Sequence, residues 1–446
     1  MLNNFFPITG RIRLAAAAAA VLLPAALPTP ATAQATPITL SEAIARGRAN
    51  GVQGALARLS AKAVSARTSE RRSDLLPNVS GTASVVRQTL NLTEFGLSFP
   101  GAPEVTDPFT VYRFRLTGEQ LLFSKSTLDR LGAARDTAIA AGLDAARVGD
   151  ISAAAAGAAW LRLAGADETV QAREADSVTA VALLDIARAQ VDAGTAPRID
   201  RTRSETQLAA ARIRLAVARN ERDRATLDLA RAIDLPVATP IVLSGDPTIP
   251  LGAMPANIDS AVALARAQRQ DLAAERQRVT VMQKSLNAIT DELFPSLGLS
   301  AGLGTSGRGL DRLGGTWNIG VGLSWPLFDG FRRGRRADEQ RIRIDAQQLR
   351  LHDLESQVEA EARQAALDIA SARGQVVVAE EGLRLAEQEL QEARERFTAG
   401  VTGSVETTNA QADVTSARDA LIQARVAAGA AQVSAAKALG LLDQVH

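Results

Sequence analysis

The chain has 446 residues, with 50 lysines and arginines against 49 aspartates and glutamates, so its formal net charge is +1. This balance removes any whole-chain electrostatic case for nucleic-acid binding. Cysteine is absent, which excludes disulfides, thiolate metal sites, a catalytic cysteine and a lipid anchor on cysteine. Aromatic residues are 3% of the chain, and the abundant alanine indicates helices packed closely along their length rather than a large globular core.

Residues 1–33 have the pattern of a secretory signal peptide. Two arginines precede an apolar stretch, and Ala31-Thr32-Ala33 fits the small-residue cleavage pattern. The apolar stretch, residues 14–27, is interrupted by Pro24, is followed by Pro28 and is shorter than the roughly 20 apolar residues that a spanning helix needs. We therefore expect export and a mature chain that begins near Gln34, rather than an N-terminal membrane anchor.

Helices of unusual length are predicted in the first half of the chain, residues 34–235. No proline occurs between Pro108 and Pro197, so residues 124–192 can form one nearly continuous helix about 100 Å long. Leu163, Val170, Leu184 and Val191 fall on a seven-residue period with Ser177 in the missing place, which indicates coiled packing against neighbouring helices. The other predicted elements of this half are a β-hairpin over about 78–122 and shorter helices over 40–75 and 198–234.

A proline-rich linker, residues 236–257, leads to a second half, residues 258–446, that repeats the first. Leu40 aligns with Ile258 at an offset of 218 residues, and the helical positions after the hairpin align at an offset of 206. A longer loop in the first hairpin accounts for the difference. The internal repeat predicts a matching set of elements: a β-hairpin over about 296–327 and helices over 258–293, 329–398 and 402–439.

The clearest strand runs from Trp317 to Trp325. Its odd-numbered residues are large and apolar, so a period of two places them on one face. The strand is long enough for a tilted membrane crossing, about 30 Å, with tryptophans where interfacial aromatics are expected. In the matching strand of the first half, Tyr112 lies on the apolar face, and Arg113 and Arg115 would face a water-filled lumen. The same alternation also fits half-buried hairpins of a soluble protein.

Four strands cannot close a membrane barrel. Known single-chain barrels begin at eight strands, and an open sheet edge is not tolerated in lipid. If these strands enter a membrane, several chains must therefore share one barrel. Two chains would supply eight strands and three would supply twelve, and the strand pattern does not choose between them.

A motif at the end of the second hairpin resembles the strand-to-helix junction of TolC-like outer-membrane efflux proteins: Leu323-Ser324-Trp325-Pro326-Leu327-Phe328-Asp329-Gly330-Phe331-Arg332-Arg333. The strand starts Leu75-Leu76-Pro77 and Leu293-Phe294-Pro295 and the paired Ala-Gly turns extend the resemblance over nearly everything after residue 36. It implies a mainly α fold with a small β part. Three chains would each give four strands to a shared 12-stranded transmembrane β-barrel and long coiled-coil helices to a periplasmic α-barrel.

The resemblance also implies a function. The chain would be a passive exit duct in the outer membrane of a Gram-negative bacterium, extending into the periplasm and serving a tripartite efflux or type I secretion system. The implied partners are two further copies of the chain, a periplasmic adaptor (membrane fusion protein), an inner-membrane pump and outer-membrane lipid. No enzymatic activity, cofactor, metal or nucleic acid is expected. The alternative that the residue pattern leaves open is a soluble periplasmic coiled-coil scaffold or adaptor without a pore.

Site residues follow from the same resemblance. Asp200 and Glu406 match positions at a narrow periplasmic entrance, where threefold symmetry would make carboxylate rings that favour cations. The alternative is an ordinary role for carboxylates near helix N-termini. Phe397, Thr402 and Asn409 replace gate residues with hydroxyl or charged groups, which implies a different or looser closure. The turns expected to dock the adaptor are Ala193, Gly194, Thr195, Ala399, Gly400 and Val401, and the expected membrane-interface aromatics are Trp317, Trp325 and Tyr112.

Three weaker signals point elsewhere and are set aside. Gly302-Leu303-Gly304-Thr305-Ser306-Gly307 matches a dinucleotide fingerprint but lacks the helix that must follow it. The arginines between positions 332 and 336 are expected to reach lipid headgroups or pair with acidic residues. His352 and His446 have no second ligand near them in the sequence, so a histidine metal site or a serine triad has little support.

Overall fold

The computed structural model describes residues 36–96, 100, 101, 103–245 and 257–442. The predicted signal peptide, residues 1–33, lies outside these residues. The described chain is mainly helical with a small β part, which confirms that much of the predicted fold class. None of the described helices combines the length and the hydropathy that a membrane-spanning helix requires. The helices are α1 (Leu40–Asn50), α2 (Val52–Ser73), α3 (Lys125–Asp192), α4 (Arg198–Ala232), α5 (Ile258–Gln268), α6 (Gln270–Thr290), α7 (Arg332–Thr398) and α8 (Ser404–Leu439).

The two longest helices match in length, with 68 residues in α3 and 67 in α7. At 1.5 Å per residue each is about 100 Å long. The N-terminus of α3 is capped by Ser124, whose Oγ accepts a hydrogen bond from the backbone N–H of Thr127 at 3.3 Å. The residues on the seven-residue period turn toward neighbouring helices, and Leu163, Leu390 and Phe397 are buried.

Two predictions were wrong in one respect: the helices predicted as continuous over 40–75 and 258–293 are each divided in two. Gly51 separates α1 from α2 with a ψ of 129°, and Arg269 separates α5 from α6 with a ψ of 123°. A single extended residue is enough to interrupt the helical hydrogen-bond ladder and redirect the chain. The other predicted helix ends differ from the observed ones by at most three residues.

At both breaks, an arginine of the following helix donates a hydrogen bond to a backbone carbonyl near the end of the preceding helix. Arg58 donates from Nη1 to the backbone carbonyl of Arg48 at 3.1 Å, and Arg276 donates from Nη1 to that of Arg266 at 3.4 Å. The carbonyls at the C-terminal end of a helix have no partner within it. The two arginines therefore supply hydrogen bonds that the break would otherwise leave unmade.

One antiparallel sheet combines the hairpin of β2 (Asn78–Gln88) and β3 (Phe109–Phe123) with that of β5 (Ser296–Gly307) and β6 (Gly314–Ser324), in the order β2-β3-β5-β6. Its register pairs Leu116 with Leu303 and Leu303 with Trp317, so apolar residues of neighbouring strands align on one face. The outer strands, β2 and β6, each have one edge without a strand partner among the described residues. A separate parallel pair joins β1 (Thr36–Ile38) to β4 (Ile241–Leu243).

The largest apolar cluster lies at the middle of α3, where the start of α1 and the end of α4 meet it. Trp160 is 1% exposed, and its Nε1 donates a hydrogen bond to the backbone carbonyl of Ile38 at 2.9 Å. Ile44, Leu229 and Ile233 are buried in the same cluster. The shorter helices thus cover opposite halves of α3, leaving one end of the bundle at the sheet and the other at the turn between α3 and α4.

Candidate functional site

Two turns with the same geometry end the long helices. Gly194 and Gly400 have φ values of 73° and 71°, in the left-handed region that favours glycine. The residue after each glycine bonds back to the helix. The backbone N–H of Thr195 donates to the carbonyl of Gln190 at 2.9 Å, and the N–H of Val401 donates to the carbonyl of Arg396 at 3.0 Å. A Cβ at either glycine would meet no atom within 4 Å. Both turns are therefore shaped by backbone conformation and present an open surface.

The two predicted turns lie side by side. Gln190, near the end of α3, donates from Nε2 to the backbone carbonyl of Phe397 at 2.8 Å. Ser404, the first residue of α8, donates from Oγ to a carboxylate oxygen of Asp200 at 2.5 Å. The structure therefore brings the residues predicted for docking and for the entrance to one end of the molecule.

The three predicted entrance residues differ in exposure. Asp200 is 4% exposed and held by Ser404, with a guanidinium nitrogen of Arg203 3.6 Å from its carboxylate. Glu406 is partly exposed and forms an ion pair with Arg396 at 2.9 Å. Phe397 is 1% exposed and packs inside the chain. In the single chain only Glu406 presents its carboxylate to solvent.

A buried polar network between α3 and α8 was missed by the sequence reasoning. Asp176 is 2% exposed and accepts hydrogen bonds from Arg173, Thr415 and Arg418 at 3.0 to 3.2 Å. Arg173 also donates to Asp419. Burial lowers the pKa of Arg173, but hydrogen bonds and negative charge from Asp419 and Asp176 outweigh it, so the pKa lies above its ordinary value.

This network joins the helical hairpin of α3 and α4 to that of α7 and α8. It lies about five helical turns from the glycine turns that end α3 and α7. Arg418 extends it to α7 by donating to Glu387 at 3.0 Å. Buried charges are stable only when they are paired and hydrogen-bonded. The one sequence signal was the i,i+3 spacing of Arg173 and Asp176, which is common on exposed helix faces and therefore carries little information.

The sheet presents the predicted aromatic residues at different levels. Trp317 and Trp325 are 77% and 59% exposed, and Nε1 of Trp325 donates to the backbone carbonyl of Leu293 at 3.0 Å. Trp325 directly follows β6 and lies eight positions beyond Trp317, or about 26 Å along an extended chain. Tyr112, half-buried, lies nearer the loop end of the sheet and pairs with Val85 and Gly307.

Solved structures with a similar fold include outer-membrane channels. The outer-membrane channel CmeC of Campylobacter jejuni is 18% identical, with a TM-score of 0.73, over 90% of this chain and 85% of that one. The open-state MtrE channel of Neisseria gonorrhoeae is 19% identical, also with a TM-score of 0.73, over 90% of this chain and 89% of that one. These likenesses establish the fold of a helical-bundle chain with a four-stranded sheet.

Sequence comparison finds similarity to the same class of proteins. Residues 261–441 match the model of the outer membrane efflux protein family. The outer membrane efflux protein BepC of Brucella suis biovar 1 is 24% identical over 245 residues, 53% of this chain and 52% of that protein, so the match spans about half the length of the relative. The resemblance to TolC-like outer-membrane efflux proteins predicted from the sequence motifs is confirmed. These relatives are channel and efflux proteins rather than enzymes, which confirms the prediction that the chain is not an enzyme.

Proposed function

We propose that this chain forms a homotrimeric efflux channel in the outer membrane of a Gram-negative bacterium. Each chain gives four strands to a 12-stranded barrel, and the helices form a tunnel in the periplasm. The observation that carries the proposal is the sheet, which has an exposed apolar face and, among the described residues, two open edges, β2 and β6. In lipid, each unpaired backbone group costs several kcal/mol. Pairing β6 of one chain with β2 of the next removes every open edge.

The helices offer matching support for assembly. Leu349, Leu367 and Val378 of α7 are 65% to 73% exposed in the single chain. Apolar side chains exposed along one long helix favour packing against a neighbouring helix, here that of a second copy. The number of copies follows from the family resemblance. The matched lengths of α3 and α7 and of α4 and α8 support an internal repeat as the origin of the chain.

We further propose that the channel is the exit duct of a tripartite efflux or type I secretion system. An inner-membrane pump and a periplasmic adaptor would load cargo at the two turns, residues 193–195 and 399–401. Gly194 and Gly400 support this role because their surroundings are open, leaving space for another protein. Asp200 and Glu406 would contribute negative charge at the entrance, with Glu406 the stronger candidate because Asp200 is buried against Ser404.

Paired substitutions on β6 test the membrane face. Ile319 is 68% exposed on the apolar face, and Asn318 is its neighbour on the polar face. Ile319→Arg should prevent stable membrane assembly, because arginine on the lipid side near the membrane midplane costs about 2–4 kcal/mol. Asn318→Arg should assemble normally. Detergent extraction, native mass and planar-bilayer conductance measure the outcome; release of a folded monomer by osmotic shock without detergent would contradict the proposal and favour a soluble scaffold.

The docking turns are tested with asparagine, which tolerates the left-handed conformation. A Gly194→Asn/Gly400→Asn double variant should keep the turns and the trimer but lose dye efflux and adaptor crosslinking, since each new side chain occupies the open surface. Gly96→Asn, the same exchange at a left-handed glycine of the first hairpin loop whose Cβ position is also open, is the matched control and should keep normal efflux. Normal efflux in the asparagine variant would refute the docking assignment without touching the channel proposal.

A further inference from the structure

The polar face of the sheet carries two arginines in its loop-side half. Arg113 and Arg115 are two residues apart on β3, so their side chains point the same way about 7 Å apart. Both are exposed. Among the described residues neither guanidinium has an ion pair or a side-chain hydrogen bond.

Small and uncharged residues surround the pair on the adjacent strands. The register aligns Arg113 with Ser84 and Ser306, and Arg115 with Thr82 and Gly304. One strand further, Gly304 aligns with Thr316 of β6. None of these residues offers a negative charge, and their small size leaves the long arginine side chains as the largest groups on this part of the face.

The nearest carboxylate on the same face is too distant to neutralise the arginines. Glu119 lies on β3 four residues beyond Arg115, toward the helices, which is about 13 Å along the strand. At physiological ionic strength the Debye length is about 8 Å, so this charge is largely screened at the arginines. The charge of this segment is therefore positive.

A neighbouring copy cannot supply the missing counter-charge from its strands. In the proposed trimer each neighbour presents the same four strands, whose polar faces have Glu119 as their only acidic residue among the described residues. The acids of the described outer loops, such as Asp107 and Asp311, lie beyond the ends of β3 and β6. The repeated positive segment thus persists in the assembly.

We infer that Arg113 and Arg115 form an anion-attracting ring in the outer half of the lumen, which takes solutes bearing carboxylate or phosphate groups. This inference rests on the proposed channel, because the arginines line a pore only if the polar face encloses water. Guanidinium groups bind carboxylates and phosphates in bidentate geometry. A ring of like charges in a narrow pore raises the local concentration of counter-ions and selects by sign.

Planar-bilayer measurements on the purified trimer test the ring. In a potassium chloride gradient, Arg113→Gln/Arg115→Gln should lower the ratio of chloride to potassium permeability relative to the wild type. The effect should be larger at 0.1 M than at 1 M salt, where the Debye length falls from about 10 Å to about 3 Å. Arg113→Lys/Arg115→Lys should retain the wild-type ratio. Arg312→Gln, which removes one positive charge from an outer loop, is the matched control and should change the ratio least.

A second measurement needs no variant. Inorganic tripolyphosphate added on the barrel side should reduce wild-type conductance at lower concentration than the same anion added on the helical side. An unchanged permeability ratio in the glutamine variant, or equal block from both sides, would overturn the inference while leaving the channel intact. A wild-type protein with no conductance would instead overturn the proposed function. If the glutamine variant fails to assemble, the sided block alone decides.

Discussion

The two helix breaks lie at matching positions in the two halves of the chain and share a capping arginine, Arg58 or Arg276, but their other contacts differ. In the first half, Gly47 sits where α1 approaches α3, and a Cβ there would lie 2.4 Å from the Cβ of Ala156. In the second half the matching residue is Ala265, which is fully buried. In this half Arg269 stabilises the break through ion pairs: its Nη2 lies 2.6 Å from the carboxylate of Asp271, and its Nη1 pairs with Glu361 of α7.

The difference shows that the same backbone redirection can rest more on close packing or more on buried charge. The first half uses close helix approach at a glycine, which stabilises by packing. The second half has a bulkier residue at that position, and a buried ionic cluster connects the break to α7. A repeat can therefore conserve geometry while its two copies change the interaction that maintains it, and the two copies should respond differently to the same kind of perturbation.

The largest effect is expected from Arg269→Ala. The substitution leaves Asp271, 7% exposed, without its main cationic partner. Breaking a buried pair by removing one partner costs about 3–5 kcal/mol; Arg147, 3.6 Å from Asp271, should reduce this to the lower end. Guanidinium unfolding followed by helical circular dichroism measures the change. Arg312→Ala, in an exposed loop, is the control and should cost little; an equal loss in both variants would contradict the assignment.

The first break should be sensitive to volume instead. Gly47→Val introduces side-chain atoms that overlap Ala156 and the backbone carbonyl of Ser152, whose oxygen would lie only 3.0 Å from the new Cβ. Overpacking of this kind costs about 1–3 kcal/mol. Ala265→Gly, the opposite exchange in the second half, should cost about 1 kcal/mol through helix propensity. If Gly47→Val unfolds at the wild-type denaturant concentration, close approach does not hold the first break.

The stability contributed at the two breaks should also depend on pH in opposite directions. Burial raises the pKa of Asp271, but the hydrogen bonds and charge of Arg269 outweigh it, so the pKa lies below its ordinary value. Ionised Asp271 thus contributes stability above the unfolded pKa of about 3.9, and this is lost as the pH falls through the folded pKa. The pKa of Asp150, which pairs with Arg48 near the first break, is raised by burial, with Arg48 opposing and Asp271 assisting. Its protonated form therefore contributes stability at low pH that is lost as the pH rises through the folded pKa.

Substitution by asparagine checks these opposite signs. Asp271→Asn should lower stability at pH 7 and flatten the loss of stability below about pH 4. Asp150→Asn should remove the part of the stability that declines as the pH rises from about 4. Urea midpoints between about pH 3 and 7 measure both. Acid limbs of equal slope in the two variants would show that the two carboxylates do not titrate in opposite directions.

The contrast between the breaks also explains what the sequence could predict. Proline-free stretches and period-two alternation are local signals, so the sequence alone predicted the long helices α3 and α7 and the strand that contains Trp317. Gly51 costs a helix only about 1 kcal/mol relative to alanine, and Arg269 is a good helix former, so neither residue alone marks a break. Each break also depends on partners far away in sequence, such as Asp150 and Glu361. The two turns were found through their glycines, whereas the burial of Asp200 depends on Ser404, which is 204 residues away. Local patterns identified elements, but not contacts between the halves.

The smallest effects are expected at the matched carboxylates beside the two turns. Asp200→Asn alters a buried acceptor whose partner is the Ser404 hydroxyl, and should lower the free energy of unfolding by about 1 kcal/mol because the charge-assisted hydrogen bond is weakened. Glu406→Gln removes a partly exposed ion pair with Arg396, which is worth about 0–1 kcal/mol. Their order should reverse in conductance: Glu406→Gln should reduce cation preference, and Asp200→Asn should change it little, since a buried carboxylate contributes less to the field in the pore. Equal shifts of reversal potential would mean that assembly exposes Asp200, whereas no shift in either variant would remove both carboxylates from the entrance.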